Sequence, residues 1–206
     1  MTAPEMPYPI AEVVVHTRLE DGRKVCLRAV RPSDELRMRG GIELLSRESR
    51  YLRFFSRAPA LPDRVITKLV AVDGHRHLAW GAILSDEPGF PAIGAVHAVR
   101  DDETSESAEF AIGILDAYHG QGLAQMLTAV LLIQCQAEGI VTMEAQILAE
   151  NRPAANLLRS LGGERTGTEQ GVSDYALDTA AALQALQYSA EPAGLVEVFS
   201  AFRSFL

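Results

Sequence analysis

The stretch from Ala108 to Ala124 constrains the fold more than any other part of this 206-residue chain. An apolar segment, residues 108–115, is followed by a short turn with two glycines and then by the strongly apolar segment 122–137. This pattern predicts a strand, a glycine-bearing loop and a helix in immediate succession. The first N–H groups of such a helix have no partner within it, and its dipole is positive at that end. The junction is therefore a natural binding site for the phosphates of a ligand.

Strands and helices alternate around this junction. Apolar runs bounded by turn residues predict further strands over 13–19, 24–30, 78–84, 92–99, 141–148 and 173–177. Capping residues and prolines predict helices that begin near Ser33-Asp34, Ser46 and Pro62-Asp63, and another helix over 153–161. We expect the first of these helices to break at Gly40-Gly41. The alternation predicts an α/β fold built on a mixed sheet (α+β).

The composition argues against several classes of protein. A chain of 206 residues fits one domain, or one domain with an appendage, and a hydrophobic content of 48% supplies a substantial core. The net charge of −8 argues against binding to the phosphate backbone of nucleic acids. No run approaches the roughly 20 apolar residues of a membrane span, and Met1–Glu5 lacks the start of a secretory signal. We expect a cytoplasmic protein with neither a nucleic acid nor a membrane as its partner.

The cysteines and histidines give no indication of a metal site. Cys26 and Cys135 lie far apart in apolar patterns, so we expect two reduced cysteines in the core. His75 and His77 form a His-x-His pair, but no further ligands follow at a zinc-like spacing. The sequence predicts a surface turn there and no metal cofactor.

Three further segments accompany the loop His119–Ala124, which has the form His-x-x-Gly-x-Ala. Ile112-Gly113-Ile114 precedes it, residues 151–157 follow with the pattern Asn-x-x-Ala-x-x-Leu, and a front segment comprises residues 31–34 and 45–55. In this order and spacing, the four segments resemble the GNAT superfamily of acyl-CoA-dependent N-acyltransferases. The front segment and the Ala-Glu-x-Ala sequence at 108–111 are most similar to bacterial protein-lysine acetyltransferases.

The resemblance sets expectations for the domain organisation. It covers roughly residues 23–178 and implies a GNAT-like fold. We expect residues 1–22 to form a lead-in with the first strand, residues 23–179 the GNAT N-acetyltransferase domain, and residues 180–206 a helical C-terminal extension.

The resemblance also implies a site for acetyl-CoA as co-substrate. In the superfamily the strand that ends here at Leu115 and the strand at 141–148 splay apart, and the pantetheine arm pairs with the freed backbone. The cofactor-binding residues that it implies are Ile112, Gly113, Ile114, His119, Gly120, Gln121, Gly122, Leu123, Ala124 and Asn151. Backbone N–H groups from Gln121 to Ala124 would hold the pyrophosphate. An ordinary tight turn with no ligand is the alternative for this loop.

Glu109 is the implied general base, because the related lysine acetyltransferases carry a catalytic Glu at this Ala-Glu-x-Ala position. The alternative is a solvated carboxylate at a strand end. Two residues depart from the family. His119 stands where many members have Arg or Gln, and Leu158 stands where many have a tyrosine that protonates the leaving thiolate. Tyr118 and Tyr175 are possible substitutes, but no spacing singles out either one.

These residues together predict an enzyme that moves an acetyl group from acetyl-CoA to a primary amine. A protein lysine is the favoured acceptor, and a small-molecule amine or a non-catalytic acyl-CoA-binding module is the alternative. Arg50, Arg53 and Arg57 are expected near the surface beside the acceptor cleft.

The C-terminal tail lies outside the resemblance. Val196, Phe199, Phe202 and Phe205 recur every three residues and predict an apolar stripe on a helix. Such a stripe has to be covered, either by the same domain or by a second subunit in a homodimer.

Overall fold

The computed structural model describes residues 10–189 and 191–206, which form a mixed sheet with helices against both faces. The eight strands of this part are β1 (Val14–Arg18), β2 (Lys24–Ala29), β3 (His77–Leu84), β4 (Ala92–Val99), β5 (Ser107–Ile114), β6 (Thr142–Leu148), β7 (Glu164–Glu169) and β8 (Val172–Asp178). Their spatial order is β1-β2-β3-β4-β5-β6-β8-β7. Only β5 and β6 run parallel among these neighbours. The predicted mixed sheet is confirmed.

The α-helices of the described chain are α1 (Glu35–Leu44), α2 (Arg47–Phe54), α3 (Asp63–Val70), α4 (Leu123–Ala137), α5 (Arg152–Ser160), α6 (Thr179–Gln187) and α7 (Leu195–Ala201). Ser46 caps α2 through its side chain, which accepts a hydrogen bond from the Ser49 N–H. None of these helices combines the length and apolarity that a membrane span requires.

Helix α4 forms the centre of the core. Along β3, alternate residues point to opposite faces, so that Trp80 lies against α4 while Ala79 packs against Val70 of α3. The buried Trp80 Nε1 donates a hydrogen bond of 2.7 Å to Gln134 Oε1 on α4. The contact satisfies two polar groups that would otherwise be costly to bury.

Three local expectations were wrong. Helix α1 runs through Gly40-Gly41 without a break, because it is packed against both β4 and α3. Strand β7 was missed, since all but one of its residues are exposed and none is a large apolar residue. Cys135 is buried as expected, but Cys26 is only half-buried. The predicted lead-in falls mainly on residues 1–9, which lie outside the described part of the chain.

The C-terminal extension packs on its own chain. Helix α6 contacts α4 and β8, and α7 contacts α4 and β1. Phe202, just after α7, is fully buried with its ring edge-on to Trp80 at 5.6 Å between centroids. The predicted stripe is wrong at Val196, which is 72% exposed, because the buried residues of α7 are Leu195 and Val198.

Asp34 fastens the start of α1 to the sheet. Its carboxylate accepts two hydrogen bonds from Arg28 on β2, at 2.6 and 2.7 Å, and one from Arg37 at 2.7 Å. Burial by itself would raise the pKa of Asp34, but the hydrogen bonds from Arg28 and from the Arg31 N–H outweigh it and hold the pKa at about 2.

Replacing Asp34 by Asn is therefore expected to lower the free energy of unfolding by about 2 kcal/mol at neutral pH. The lowered pKa makes this contribution complete above the unfolded value of 3.8, and it is lost as the pH falls through about 2. Urea unfolding of both proteins at pH 7 and pH 3 measures the change. The matched control is Asp63→Asn, because the Asp63 side chain is 84% exposed and its ion pair with Arg39 contributes little. A difference that does not shrink at low pH would contradict this account.

Candidate active site

The loop before α4 presents a row of free backbone donors. Gly120 and Gly122 have φ values of +68° and +76°, in the left-handed region that glycine adopts without strain. These conformations turn the chain directly into α4, which carries no acidic residue in its first turn. In the described chain, no hydrogen bond takes up the N–H groups of residues 120–124. Free N–H groups at the positive end of a 15-residue helix form an anion-binding site.

Two neighbouring segments hold this loop in place. The Gln121 side chain accepts a hydrogen bond of 3.0 Å from the Asp21 N–H in the β1–β2 turn, which leaves only its backbone for a ligand. On the other side, the buried ring of Pro192 lies where a Cβ on Gly122 would stand. The C-terminal segment therefore supports the loop as well as the core.

The two loop glycines are expected to respond differently to substitution by alanine. At Gly122 a Cβ would overlap Pro192 and strain the backbone, whereas the space around Gly120 is open and only the backbone strain of about 1–2 kcal/mol remains. Thermal unfolding without ligand should show a clearly larger loss of stability for Gly122→Ala than for Gly120→Ala. Equal losses would show that Pro192 does not pack against this loop.

Strands β5 and β6 separate next to the loop. They pair only at Ser107–Thr142, Ala108–Met143 and Glu109–Glu144, and beyond Glu109 the two strands continue without pairing to each other. Each stays paired on its other side, β5 with β4 and β6 with β8. The edge of β5 that faces β6 thus pairs with no strand over its last residues, so an extended ligand can lie along it as an added strand does.

A cavity of about 380 Å³, which we call the long groove, joins the loop to this gap. It runs between α2, the end of β5 and the start of α5. Nine of the ten residues implied by the resemblance line it, namely Ile112, Gly113, Ile114, His119, Gly120, Gly122, Leu123, Ala124 and Asn151. Gln121 does not, because its side chain is turned towards the β1–β2 hairpin.

Asn151 and His119 are both oriented by backbone groups. The Asn151 side chain caps α5 by accepting a hydrogen bond of 3.2 Å from the Ala154 N–H. The exposed His119 donates a hydrogen bond of 2.9 Å from Nε2 to the Ile114 carbonyl. Its other ring nitrogen, Nδ1, is not used in this bond. The capping hydrogen bond therefore gives Asn151 a structural role at the start of α5. The hydrogen bond to Ile114 holds the His119 imidazole beside the end of β5.

Glu109 lies at the mouth of a second cavity, the gap cavity, which opens between β5 and β6. It is exposed, and it is the last residue of β5 that pairs with β6. Its partner in the register is Glu144, which is also exposed and which the sequence analysis did not identify. Side chains at paired positions of neighbouring strands share one face of the sheet, so Glu144 lies on the same face as Glu109, but Glu144 does not line the gap cavity.

Arg53 lies deeper than the sequence predicted. Arg57 is exposed and stacks on the Tyr51 ring, but Arg53 is half-buried across the face of β5. A Cβ on Gly113 would contact the Arg53 side chain at 3.6 Å, so the glycine leaves room for the arginine to cross the strand. Arg53 lines both the long groove and the gap cavity.

Three positions were considered as a source of the proton for the leaving thiolate, namely Leu158, Tyr118 and Tyr175. Leu158 is buried and lines the gap cavity, so this position provides no proton. Tyr118 lines the long groove with the Arg23 guanidinium 4.4 Å above its ring, and Tyr175 is buried on β8. No group of three or more His, Cys, Asp and Glu residues in the described chain is arranged to hold a metal ion.

Comparison with known proteins agrees with this geometry. Residues 24–164 match the model of the acetyltransferase (GNAT) domain family. The chain belongs to the GNAT acetyltransferase family. Over 144 residues the enzyme is 28% identical to acetyltransferase PA5475 of Pseudomonas aeruginosa, covering 70% of this chain and 77% of that protein. It is an acetyl-CoA-dependent N-acetyltransferase.

Solved structures of low sequence identity share the fold of this acetyltransferase. The GNAT domain of S. lividans PAT superimposes with a TM-score of 0.75 at 24% identity, over 83% of this chain and 99% of that one. A spermidine N-acetyltransferase from Vibrio cholerae, solved with CoA and spermine, gives 0.60 at 18% identity over 77% and 98% of the two chains. At these identities the likeness establishes the fold, and the acceptor has to be argued from the site.

Proposed function

We propose that this acetyltransferase moves the acetyl group of acetyl-CoA directly to a primary amine, with Glu109 as the general base. The observation that carries the proposal is the position of Glu109. It lies at the point where β5 and β6 part, on the gap cavity, while the free N–H groups of residues 120–124 lie on the adjoining long groove. A thioester whose phosphates bind the loop and whose arm follows β5 would carry its acyl group towards this carboxylate.

Binding of acetyl-CoA rests mainly on the backbone in this proposal. The N–H groups at the start of α4 hold the pyrophosphate, and the edge of β5 at Ile112–Ile114, which pairs with no strand on this side, pairs with the amides of the pantetheine arm. Asn151 lines both cavities and contacts the arm, and His119 lies beside the phosphates.

The base is needed because a lysine-type amine has a pKa of about 10.4 and is protonated at neutral pH. Glu109 takes a proton from the amine directly or through a water, and the nitrogen attacks the thioester carbon. A main-chain N–H near Ile112 would stabilise the oxyanion of the tetrahedral intermediate. The attacking nitrogen loses its second proton to water as the C–S bond breaks, and the CoA thiolate takes a proton from water, since Leu158 supplies none.

The acceptor amine belongs to one of two classes. The front segment favours a protein lysine, as in bacterial lysine acetyltransferases, and a small-molecule amine is the alternative. We also propose that residues 23–179 form the catalytic domain and residues 180–206 the extension that supports its loop through Pro192. A homodimer through the C-terminal extension remains a prediction.

Release of CoA thiol from acetyl-CoA tests the function and separates the acceptors. One series offers a lysine-rich protein extract, and a parallel series offers a panel of small amines. Release with the extract, together with acetylated lysines found by mass spectrometry, supports a lysine acetyltransferase, and release with small amines alone supports metabolite acetylation. Binding of acetyl-CoA without release in either series would overturn the proposal in favour of a binding module.

A further inference from the structure

Arg53 occupies the junction of three cavities. Besides the long groove and the gap cavity, it lines a third cavity of about 70 Å³ enclosed between α1, α2 and the face of β2–β5, which we call the inner cavity. Gly113 is shared by the inner cavity and the long groove. A substrate group that enters any of these cavities near β5 can therefore meet the Arg53 side chain.

The Arg53 guanidinium has no anionic or carbonyl partner among the residues that the structure describes. No hydrogen bond and no ion pair within 4.0 Å involves it, and its guanidinium lies 4.8 Å from the centroid of the Phe54 ring. By contrast, Arg50 one turn earlier on α2 donates to the carbonyls of Leu45 and Pro59. The half-buried Arg53 guanidinium therefore has its charge and its N–H donors available to a ligand in the cavities that it lines.

Burial lowers the pKa of Arg53 to about 10, and the charge of Glu109 opposes that shift. Arg53 therefore stays cationic at neutral pH, and it senses Glu109 without forming an ion pair with it. Both side chains line the gap cavity. The carboxylate of Glu109 and the guanidinium of Arg53 thus line the same cavity but form no ion pair with each other.

The inner cavity adds to the positive charge. It is lined by Arg28, Arg37, Arg53 and Asp34, which leave two positive charges in excess within a chain of net charge −8. His97 also lines it, and burial, Arg53 and His77 hold its pKa well below 6.5, so the imidazole is neutral. Asp34 is already engaged by both of its arginines. A second cationic group of a substrate would be repelled here.

We propose that Arg53 binds a carboxylate of the acceptor, a few ångströms from the amine that is acetylated. The acceptor's amine would face Glu109 while its carboxylate faces the guanidinium, so a dipolar substrate satisfies both charges at once. The inference rests on the proposed function, because it takes Glu109 as the base. It deepens that function by naming the substrate class as carboxylate-bearing amines and by excluding polyamines.

This carboxylate has two possible sources. A free amino acid carries it on the same small molecule as the amine. In a protein acceptor, an aspartate or glutamate next to the target lysine supplies it. The chemistry at Arg53 is the same for both, and matched acceptors separate them.

The test compares values of kcat/KM for pairs of acceptors that differ only in the negative charge. One arm uses α- and ω-amino acids against the corresponding amides, and the other uses short peptides with lysine beside aspartate or asparagine. The variants are Arg53→Met, which removes the charge, Arg53→Lys, which keeps it, and the control Arg47→Met, which removes an exposed charge from the same helix. Calorimetric binding of the same acceptors to the enzyme with CoA bound gives a second readout that needs no turnover.

We expect the wild-type enzyme and Arg47→Met to prefer the carboxylate-bearing member of a pair by on the order of 10- to 100-fold. Arg53→Met should lose this preference, with the change mainly in KM, and Arg53→Lys should recover part of it. The arm that shows the preference identifies the source. Equal use of both members by the wild-type enzyme, or a preference that persists in Arg53→Met, would overturn the inference. If no acceptor is acetylated, the proposed function fails, and the binding series still decides on Arg53.

Discussion

Replacing Glu109 by Gln is expected to lower kcat by about 10²- to 10⁴-fold, the range typical of a lost general base. The amide keeps the shape of the side chain at the end of the β5–β6 pairing but cannot accept a proton at neutral pH. The affinity for acetyl-CoA should stay within about twofold, because the groups proposed to hold the cofactor lie on the loop before α4 and on the end of β5. Steady-state rates of thiol release measure kcat, and isothermal titration calorimetry measures the affinity for acetyl-CoA.

Glu144→Gln is the matched control for this change. It makes the same substitution at the paired position of the next strand, and Glu144 does not line the gap cavity. Its kcat should therefore stay close to that of the wild-type enzyme. If both variants retained full activity, Glu109 would be only a solvated carboxylate at a strand end. If both lost activity equally, the charge of the opening rather than a single base would be responsible.

Replacing Phe202 by Ala is expected to lower the free energy of unfolding by about 3–5 kcal/mol. Phe202 is fully buried and packs edge-on against Trp80, whose indole is itself hydrogen-bonded to α4. The substitution leaves a cavity within the main hydrophobic cluster, beside Trp80. Urea unfolding followed by the fluorescence of Trp80 measures the loss, and the probe lies directly beside the site of the change.

The control for Phe202 is Val196→Ala in α7. Val196 is 72% exposed, so its substitution should change stability by less than about 0.5 kcal/mol. A small effect of Phe202→Ala would mean that the C-terminal extension does not dock on the sheet. Deletion of residues 190–206 uncovers the same apolar surface, and it should alter solubility or oligomeric state as judged by size-exclusion chromatography.

The central part of the fold follows from the sequence, because local pattern and tertiary environment agree there. Strands β3, β4, β5 and β6 and helix α4 are apolar enough to be recognised within one or two residues of their ends. Strand β7 lies at the sheet edge with nearly all its residues exposed, so nothing in its composition distinguishes it from a loop. The stripe on α7 was misassigned at Val196 because a three-residue repeat drifts around a helix of 3.6 residues per turn.

The loop and the strand before it were recognisable as a site because glycines and a helix start leave a local signature. Asn151 was likewise identified as a cap, and its hydrogen bond to the Ala154 N–H bears this out. Arg53 gave no such signal. Its environment depends on where α2 crosses β5, on the absence of a side chain at Gly113 and on the missing counter-charge, none of which is local in the sequence. Pro192 supports the loop from 70 residues away for the same reason.

The most direct test of the account is a two-substrate kinetic analysis of thiol release, with acetyl-CoA and the best amine from the acceptor panels varied together. Direct attack in one complex predicts intersecting double-reciprocal plots, one acetylated amine for each CoA thiol, and no release when the amine is omitted. Parallel plots with an acetyl group trapped on the protein would contradict direct transfer. Thiol release without any amine would contradict the assignment of an amine acceptor.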